Sequence, residues 1–522
     1  MSLELDTLNI QINEPLKAAN IRTVVDTDII VPDSKPDVLN VLQVNAISSV
    51  TEKYIQKDHV TVSGVIDYTI LYSGDEEQIH VKSINFKTPF SQQIEVEGVE
   101  DDMFNYVKSD VRHIEYHIQN SRKINVKSVV SLETNIIRSG VAPVVAGISS
   151  SSSIPVKNEV IKAFNLAVCC ENNFDIEDNL RVPGSNPNID DILKSDIRLE
   201  SGELKVVNNK VIAKGSAVVN TLYTCDDDIY YMENEIPFTE VIDVDGITPD
   251  MHSDIDYDIT GAAYEVESDE NGDKNGVYVK ISISCLVRAY EDEQYDVVSD
   301  VYSPDYEVNV QRKSINVSEI IDTSNSTCAI NGSIEVSSAM PPMTKIYNFI
   351  SSSYIENSYI EGTTAVVEGF VNAQILYLSD SEASPVYCAK KNIPFVHRTE
   401  ISKSVPGATV SATVHEEHGS YSFKSPSEAD VRISLRLNVN VIKNQQTDVI
   451  TDVEVNEDLP IDKSSQPGIV IYFAEESDTL WDIAKRYHTT TAEIAQVNKI
   501  DEDEQLKNRQ QLLIPKRRVD KI

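Results

Sequence analysis

Several stretches of this chain hold residue types that could do chemistry. His415-Glu416-Glu417-His418 sets two imidazoles around two carboxylates. A zinc-peptidase helix needs H-E-x-x-H, because a spacing of four places both histidines on one helical face. Here the spacing is three, and the flanks VSATV and GSYSF read as strands around a turn. The expectation is a solvated hairpin loop rather than a metal site. The run from Asp269 to Gly276, DENGDKNG, has the acidic spacing of a calcium loop. It carries Lys274 where such a loop needs glycine and Lys280 where it needs a chelating glutamate, so a glycine-bearing hairpin turn accounts for it better. Asp226-Asp227-Asp228 sits at the corresponding hairpin tip of another strand pair and reads as a solvated turn. Cys169, Cys170, Cys225, Cys285, Cys328 and Cys388 include no C-x-x-C pair, which reads as reduced, mostly buried thiols. No P-loop, no G-x-G-x-x-G after a strand and no G-x-S-x-G elbow is present. The expectation is a protein that is not an enzyme, with no catalytic residues, no metal site and no cofactor.

The elements that carry these stretches repeat. Gly64-Val-Ile-Asp-Tyr-Thr-Ile-Leu71-Tyr72 recurs as Gly215 to Leu222-Tyr223 and as Gly369 to Leu376-Tyr377, with seven positions from Gly to Leu in each. Each copy runs on to a Pro-Phe pair, Pro89-Phe90, Pro237-Phe238 and Pro394-Phe395, and then to a glycine, Gly98, Gly246 and Gly407. Upstream, the stretch from Val31-Pro32 to Leu42 matches Val182-Pro183 to Leu193, and Pro32 to Gly64 and Pro183 to Gly215 are both 32 positions. The third copy, from Met340-Pro341, reads as looser and four residues shorter to its glycine. In the first two copies the second proline is placed to start a short helix, where its missing N–H costs nothing. Most of the rest alternates with period two, as half-buried antiparallel strands do; Val277–Ser284 and Val431–Val441 are examples.

The expected fold is mainly β: three tandem antiparallel sandwich- or barrel-like repeats with one short helix each, then a small α+β domain of βααβ order. Links are expected at Ser149–Ser153, near Ser314–Ser326 and at Asp458–Gly468. They divide the chain into repeats over 1–150, 154–312 and 316–458, a linker over 459–467 and a C-terminal domain over 468–522. With 522 residues there is length for three or four domains. The 45 basic and 84 acidic residues leave a net charge of −39, which repels nucleic acid and anionic membranes. From Gly468 onward there are nine basic and ten acidic residues, so nearly all the excess lies upstream. The N-terminus lacks the pattern of a signal peptide, and no apolar run approaches the ~18 residues of a membrane span. A reducing, cytoplasmic setting is expected.

In the C-terminal domain, Ile469-Val-Ile-Tyr-Phe473 reads as a strand. Thr479 with Asp482 makes a capping pair, with Asp478 an alternative cap. Leu480, Ile483, Ala484 and Tyr487 then share one helical face. Thr490-Thr-Ala-Glu493 is a capping box for a second helix that Asn498 closes, and Gln511-Leu-Leu-Ile-Pro515 is a last strand. The D-T-L-W-x-I-A-x-x-Y core, Asn498 and the closing L-x-I-P resemble the LysM family over about 47 residues. That resemblance implies a groove for N-acetylglucosamine-containing glycans, between the first strand–helix loop and the loop before the last strand. Where the family has glycines in those loops, this chain has Ser477, His488 and Asn508-Arg509. Losing glycines that allow close backbone approach disfavours sugar binding but not the fold.

Three acidic β-rich repeats followed by one LysM-type domain are similar, over essentially the whole chain, to the SipL family of clostridial spore-coat morphogenetic proteins. The resemblance implies a protein adaptor of spore-coat assembly, in the mother-cell cytosol at the forespore surface. It also implies that the LysM domain binds a coat ATPase of the SpoIVA type, while the repeats make further coat-protein contacts. A peptidoglycan- or N-acetylglucosamine-binding protein is the alternative. The residues expected to meet a partner are Trp481 and, as secondary candidates whose alternative is packing in the core, Ile469, Ile471 and Tyr472. Trp481, the chain's single tryptophan, either packs the small core or anchors an interface. Lys516-Arg517-Arg518 reads by default as a solvated terminus, with an acidic partner or anionic lipid as the other option.

Overall fold

The computed structural model describes residues 3–16, 19–75, 81–101, 103–150, 154–226, 228–380, 386–403, 405–462 and 467–515. The alternating segments form long antiparallel strands. The first repeat holds β1 (Leu3–Pro15), β2 (Ala19–Ile30), β3 (Val38–Gln56), β4 (His59–Gly74), β5 (Val81–Glu95), β6 (Phe104–Asn120) and β7 (Lys123–Ser150). The second holds β8 (Val156–Arg181), β9 (Asp191–Val207), β10 (Lys210–Cys225), β11 (Asp228–Asp243), β12 (His252–Glu267) and β13 (Gly276–Val301). The third holds β14 (Tyr306–Glu335), β15 (Lys345–Glu361), β16 (Thr364–Leu378), β17 (Val386–Glu400), β18 (Ala408–Ser425) and β19 (Glu428–Pro460). In each repeat a three-stranded sheet, such as β3-β4-β5, faces a second sheet built on the longest strand, such as β7. Inward side chains of β4 (Val60, Val62, Ile66, Tyr68, Ile70) meet those of β7 (Ile124, Val126, Val130, Leu132) in one buried cluster. Period two therefore supplies one buried face per sheet, as a sandwich requires.

The recurring glycine and Pro-Phe pair are two halves of one cross-strand contact. Gly64 lies opposite Phe90, Gly215 opposite Phe238, and Gly369 opposite Phe395. A Cβ on Gly215 would stand 2.6 Å from Phe238 Cζ and 2.7 Å from the Glu200 carbonyl oxygen. Each phenylalanine ring thus covers a glycine on the neighbouring strand, an aromatic cross-strand pair repeated three times.

A second recurring contact fixes the register of the third copy. The hydroxyl of Tyr72 donates to the Pro36 carbonyl (3.1 Å), Tyr223 to Pro187 (3.2 Å) and Tyr377 to Pro341 (3.0 Å), each across 36 positions. Pro341 therefore matches the second proline of the other copies, and the third copy is not four residues shorter: proline to glycine is 28 positions in all three. Ser337 takes the place of Pro32 and Pro183 and accepts the same turn hydrogen bond, from Met340 N at 2.8 Å.

The short helix expected after the second proline does not form. A turn leads directly into β3 and β9. Val38, Val41 and Val44 are buried and paired along β4, and this long-range ladder outweighs a single helical turn, which has no stability of its own. The link expected near Ser314–Ser326 lies inside β14, paired with β19 from Ser314–Asp448 to Ser326–Leu437. Its polar residues alternate along a sheet edge, half of them facing water, and so mimic loop composition. The chain passes from the second repeat to the third at Tyr302–Asp305, earlier than the expected 312–316. Of the Ser149–Ser153 run, the first two residues end β7 and 151–153 lie outside the described residues; of Asp458–Gly468, β19 takes the first three and 463–466 lie outside.

The repeats close into a ring. β5 lies beside β9, β11 beside β15, and β17 beside β3. Matching residues of all three repeats meet inside: Leu71, Leu222 and Leu376 pack with Leu42, Leu193 and Tyr347. A second shared cluster joins Val144, Val297 and Val449. Where the copies place Gln43, Lys194 and Asn348 at one matching position, the axis is polar. Lys194, 2% exposed, donates to Gln43 Oε1 (3.1 Å) and pairs with Asp196 (2.7 Å). Asn348 Nδ2 (2.8 Å) and Asn45 Nδ2 (3.3 Å) donate to the same Asp196 carboxylate. Three identical residues could not make this network; the divergence of the copies satisfies a buried cation that would otherwise be costly.

Candidate interaction site

The C-terminal domain is β20 (Ile469–Phe473), α1 (Leu480–Arg486), α2 (Thr491–Asn498) and β21 (Gln511–Pro515), with β20 and β21 antiparallel. Thr479 caps α1 and accepts from Asp482 N; Thr490 and Glu493 form the full capping box of α2. Leu480, Ile483, Ala484, Ile494, Leu512 and Ile514 make the core. Asn498 behaves as a strand fragment: its side chain donates to Leu513 O (2.7 Å) and accepts from Leu513 N (2.7 Å), tying α2 to β21.

The structure separates the four residues expected to meet a partner. Ile469 and Ile471 lie on the outer face of β20, 59% and 58% exposed. Phe473, 60% exposed, shares that face; the alternation from Ile469 and Ile471 points to it, yet it is not among the four. Half-buried Leu513 and Pro515 lie opposite Ile471 and Ile469 and extend the apolar strip. Tyr472 points the other way. Its hydroxyl donates to Asp478 (2.6 Å), Arg486 donates to it (3.0 Å), and its ring meets Tyr487 edge-on. It is a packing residue because neighbours on a strand face opposite sides.

Trp481 is neither in the centre of the core nor free. It is half-buried against the ring, its Nε1 donating to Asp300 Oδ2 (2.9 Å) and its indole meeting Tyr302 edge-to-face at 5.0 Å and 78°. Such a ring pair contributes about 0.5–1.5 kcal/mol beyond burial. Lys485, one turn on, reaches both Asp300 oxygens at 2.8 Å. Burial opposes the Asp300 charge, but hydrogen bonds from Lys485 and Trp481 outweigh it and hold the carboxyl below the usual aspartate range.

His488, in the turn between α1 and α2, and Arg509, in the loop before β21, have left-handed backbones (φ 53° and 63°). That conformation costs a non-glycine residue about 1 kcal/mol or more. The loop before β21 adds Asp501, Glu502, Asp503 and Glu504, which with Ala492, Ala495, Gln496 and Ile500 line an open acidic groove. Lys516-Arg517-Arg518 lies outside the described residues.

The other candidate stretches lie in the repeats, and many of their polar side chains are hydrogen-bonded within the chain. The His415–His418 segment is not a hairpin loop but the middle of β18, with a register shift between Glu416 and His418. His415 lies 3.4 Å from Asp256 of the second repeat, Glu416 accepts from Ser351 (2.9 Å), and Glu417 accepts from Arg436 (2.7 Å). Burial pushes the Glu416 carboxyl up to about 6. Asp256 also accepts from Arg288 (2.6 Å), while Tyr106 of the first repeat donates to Asp258 (2.9 Å). Of these contacts, His415–Asp256 and Tyr106–Asp258 join one repeat to another, and the rest lie within a repeat. Asp269 accepts from Asn271 N, Asp273 N and Asn275 Nδ2, the bonds of a self-contained turn. Asp190, Cys225 and Asp226 bring three potential ligand atoms within 4.8 Å of one another. Burial and the carboxylates of Asp190, Asp226 and Asp228 push the Cys225 thiol up. Asp227 lies outside the described residues. All six cysteines are unpaired, and burial pushes every thiol up, Cys169 to about 12 and Cys285 to about 11.

A family model described as SipL, SPOCS domain matches residues 37–119, 188–267 and 342–424, and a LysM domain model matches residues 475–515. The three SPOCS matches begin one residue after Pro36, Pro187 and Pro341, the prolines that receive the tyrosine hydroxyls. No curated protein and no solved structure matched the chain. No helix among the described residues is long and apolar enough to cross a membrane.

Proposed function

The chain belongs to the SipL family, with three SPOCS domains and a C-terminal LysM domain, and from this we propose that it is a non-catalytic adaptor of spore envelope assembly. In this reading the LysM domain docks a coat ATPase of the SpoIVA type, in the mother-cell cytosol at the forespore surface. The ring of SPOCS domains is the rigid body that carries it and offers further coat-protein contacts.

The observation that carries the reading is the outer face of β20. Ile469, Ile471 and Phe473 stand side by side and mostly exposed, with Leu513 and Pro515 beside them. A contiguous apolar strip of this kind marks an interaction surface. Branched aliphatic side chains offer no hydrogen bonds to sugar hydroxyls, but they suit an apolar patch on a protein. The loop before β21, meanwhile, carries Asn508-Arg509 where the LysM pattern has Pro-Gly. The excess negative charge opposes nucleic acid and anionic lipid as partners.

The test is a strain whose copy lacks residues 467–522, beside one carrying Ile471→Asp in the full chain. Both are expected to lose localisation at the forespore surface and coat assembly. A normal coat in both would overturn the adaptor reading. The open groove between α2 and the loop before β21, whose carboxylates can accept from sugar hydroxyls, favours one second reading, an N-acetylglucosamine oligomer in that groove. Saturable binding of such an oligomer, insensitive to Ile471→Asp, would support it instead.

A further inference from the structure

The three repeats end on matching segments: Pro143-Val-Val-Ala-Gly147-Ile-Ser149, Asp296-Val-Val-Ser-Asp300-Val-Tyr302 and Asp448-Val-Ile-Thr-Asp452-Val-Glu454. Their valines and isoleucine, Val145, Val298 and Ile450, meet in one cluster. The positions after them differ. The second repeat alone pairs an aspartate with a tyrosine; the first has Gly147 and Ser149, the third Asp452 and Glu454. The LysM domain engages the second.

The contact is built from both sides. Trp481 and Lys485 are four apart on α1 and so project from one face. Both reach the Asp300 carboxylate, which Arg312 also approaches at 3.2 Å. Tyr302 is 5% exposed and packs with Leu480, Ile483 and Ala484 as a member of the LysM core, while its hydroxyl donates to Thr489 O at 2.9 Å. A residue of the ring thus completes the core of a domain too small to bury much apolar surface alone. In the third repeat Asp452 is occupied differently, accepting from Gln311 at 3.3 Å.

We propose that Asp300 and Tyr302 are a seat that fixes the LysM domain on the second repeat, and that Trp481 is a positioning residue held in that seat rather than a partner contact. The seat sets the direction in which the Ile469–Ile471–Phe473 face is presented. That last consequence rests on the adaptor reading; the seat itself does not.

Trp481 is the chain's single tryptophan, so its emission reports the seat directly in the full-length protein. Tyr302→Ala and Asp300→Asn are expected to move the emission to longer wavelength and raise acrylamide quenching. Asp452→Asn, the matching position of the third repeat, is expected to change neither. Tyr302→Phe keeps the ring contact and loses only the hydroxyl bond, so it gives an intermediate response even if Tyr302→Ala lowers the yield of folded protein. Emission and quenching unchanged in Asp300→Asn and Tyr302→Phe would overturn the seat. In a titration with a SpoIVA-type ATPase, Tyr302→Ala and Trp481→Phe should each weaken binding by about tenfold, and the double variant no further. Weakening by Trp481→Phe but not by Tyr302→Ala would return Trp481 to the partner interface. If the unaltered chain fails to bind that ATPase, the adaptor reading falls while the emission arm still decides the seat.

Discussion

The axis of the ring and the outer face of the LysM domain reverse the usual placement of residues in opposite directions. At the axis a lysine is 2% exposed and held by Asp196, Gln43 and, through that aspartate, Asn348. On β20 two isoleucines and a phenylalanine are each more than half exposed. The buried polar set is fully partnered within the chain, so its specificity is internal: it joins three copies that have diverged at one matching position. Among the described residues the exposed apolar set has no such internal closure, and the adaptor reading directs its specificity outward. In that reading the ring is one body and the LysM domain meets another.

The largest test of that contrast is Asp196→Ala. It leaves Lys194 buried without its carboxylate, and the ring should lose about 3–5 kcal/mol in denaturant unfolding. A loss confined to a few tenths would mean that the axis does not hold the repeats together. Next comes the glycine under the phenylalanine. Gly215→Ala drives a methyl group towards Phe238 and the Glu200 carbonyl and should cost about 1–3 kcal/mol, whereas Gly184→Ala, with nothing within 4 Å, should be silent. In the LysM domain the sign reverses: Arg509→Gly relieves a left-handed residue and should stabilise that domain by about 1 kcal/mol, read from its thermal transition.

Acid sharpens the contrast at the seat. The Asp300 carboxyl lies below its unfolded value, so its contribution is complete above about pH 4 and is lost as pH falls through the lowered value. Trp481 emission should therefore hold steady from pH 7 to about 4 and move to longer wavelength below that. The smallest effect on stability belongs to the β20 face. Ile469→Ser and Ile471→Asp should change unfolding by no more than about 0.5 kcal/mol, since both side chains already face solvent.

What was legible in the sequence was local or repeated. The Thr479 cap, the Thr490–Glu493 box and the Asn498 closure are contacts within a few positions or to one short strand, and they appear where their patterns place them. The Gly and Pro-Phe repeat was visible three times over, though its cause, a ring lying on a glycine, needed the pairing of β4 with β5 and its counterparts. The rest depends on distant partners. The expectation set Pro341 against Pro32 and Pro183, and its bond from Tyr377 places it with Pro36 and Pro187 instead. Ser314–Ser326 has the composition of a loop because it forms an edge strand. The face of β20 was half legible: its alternation fixes Ile469, Ile471 and Phe473 together and excludes Tyr472. The destination of Trp481 was not legible, because Tyr302 and Asp300 lie about 180 positions upstream and carry no signature of their own.

The most direct measurement is a calorimetric titration of the full chain, unaltered and as Ile471→Asp, against a SpoIVA-type coat ATPase and separately against N-acetylglucosamine oligomers. The adaptor account predicts saturable binding to the ATPase, lost or weakened by about tenfold or more in Ile471→Asp, and none to the sugar. Binding to the sugar alone, unchanged by Ile471→Asp, would contradict it.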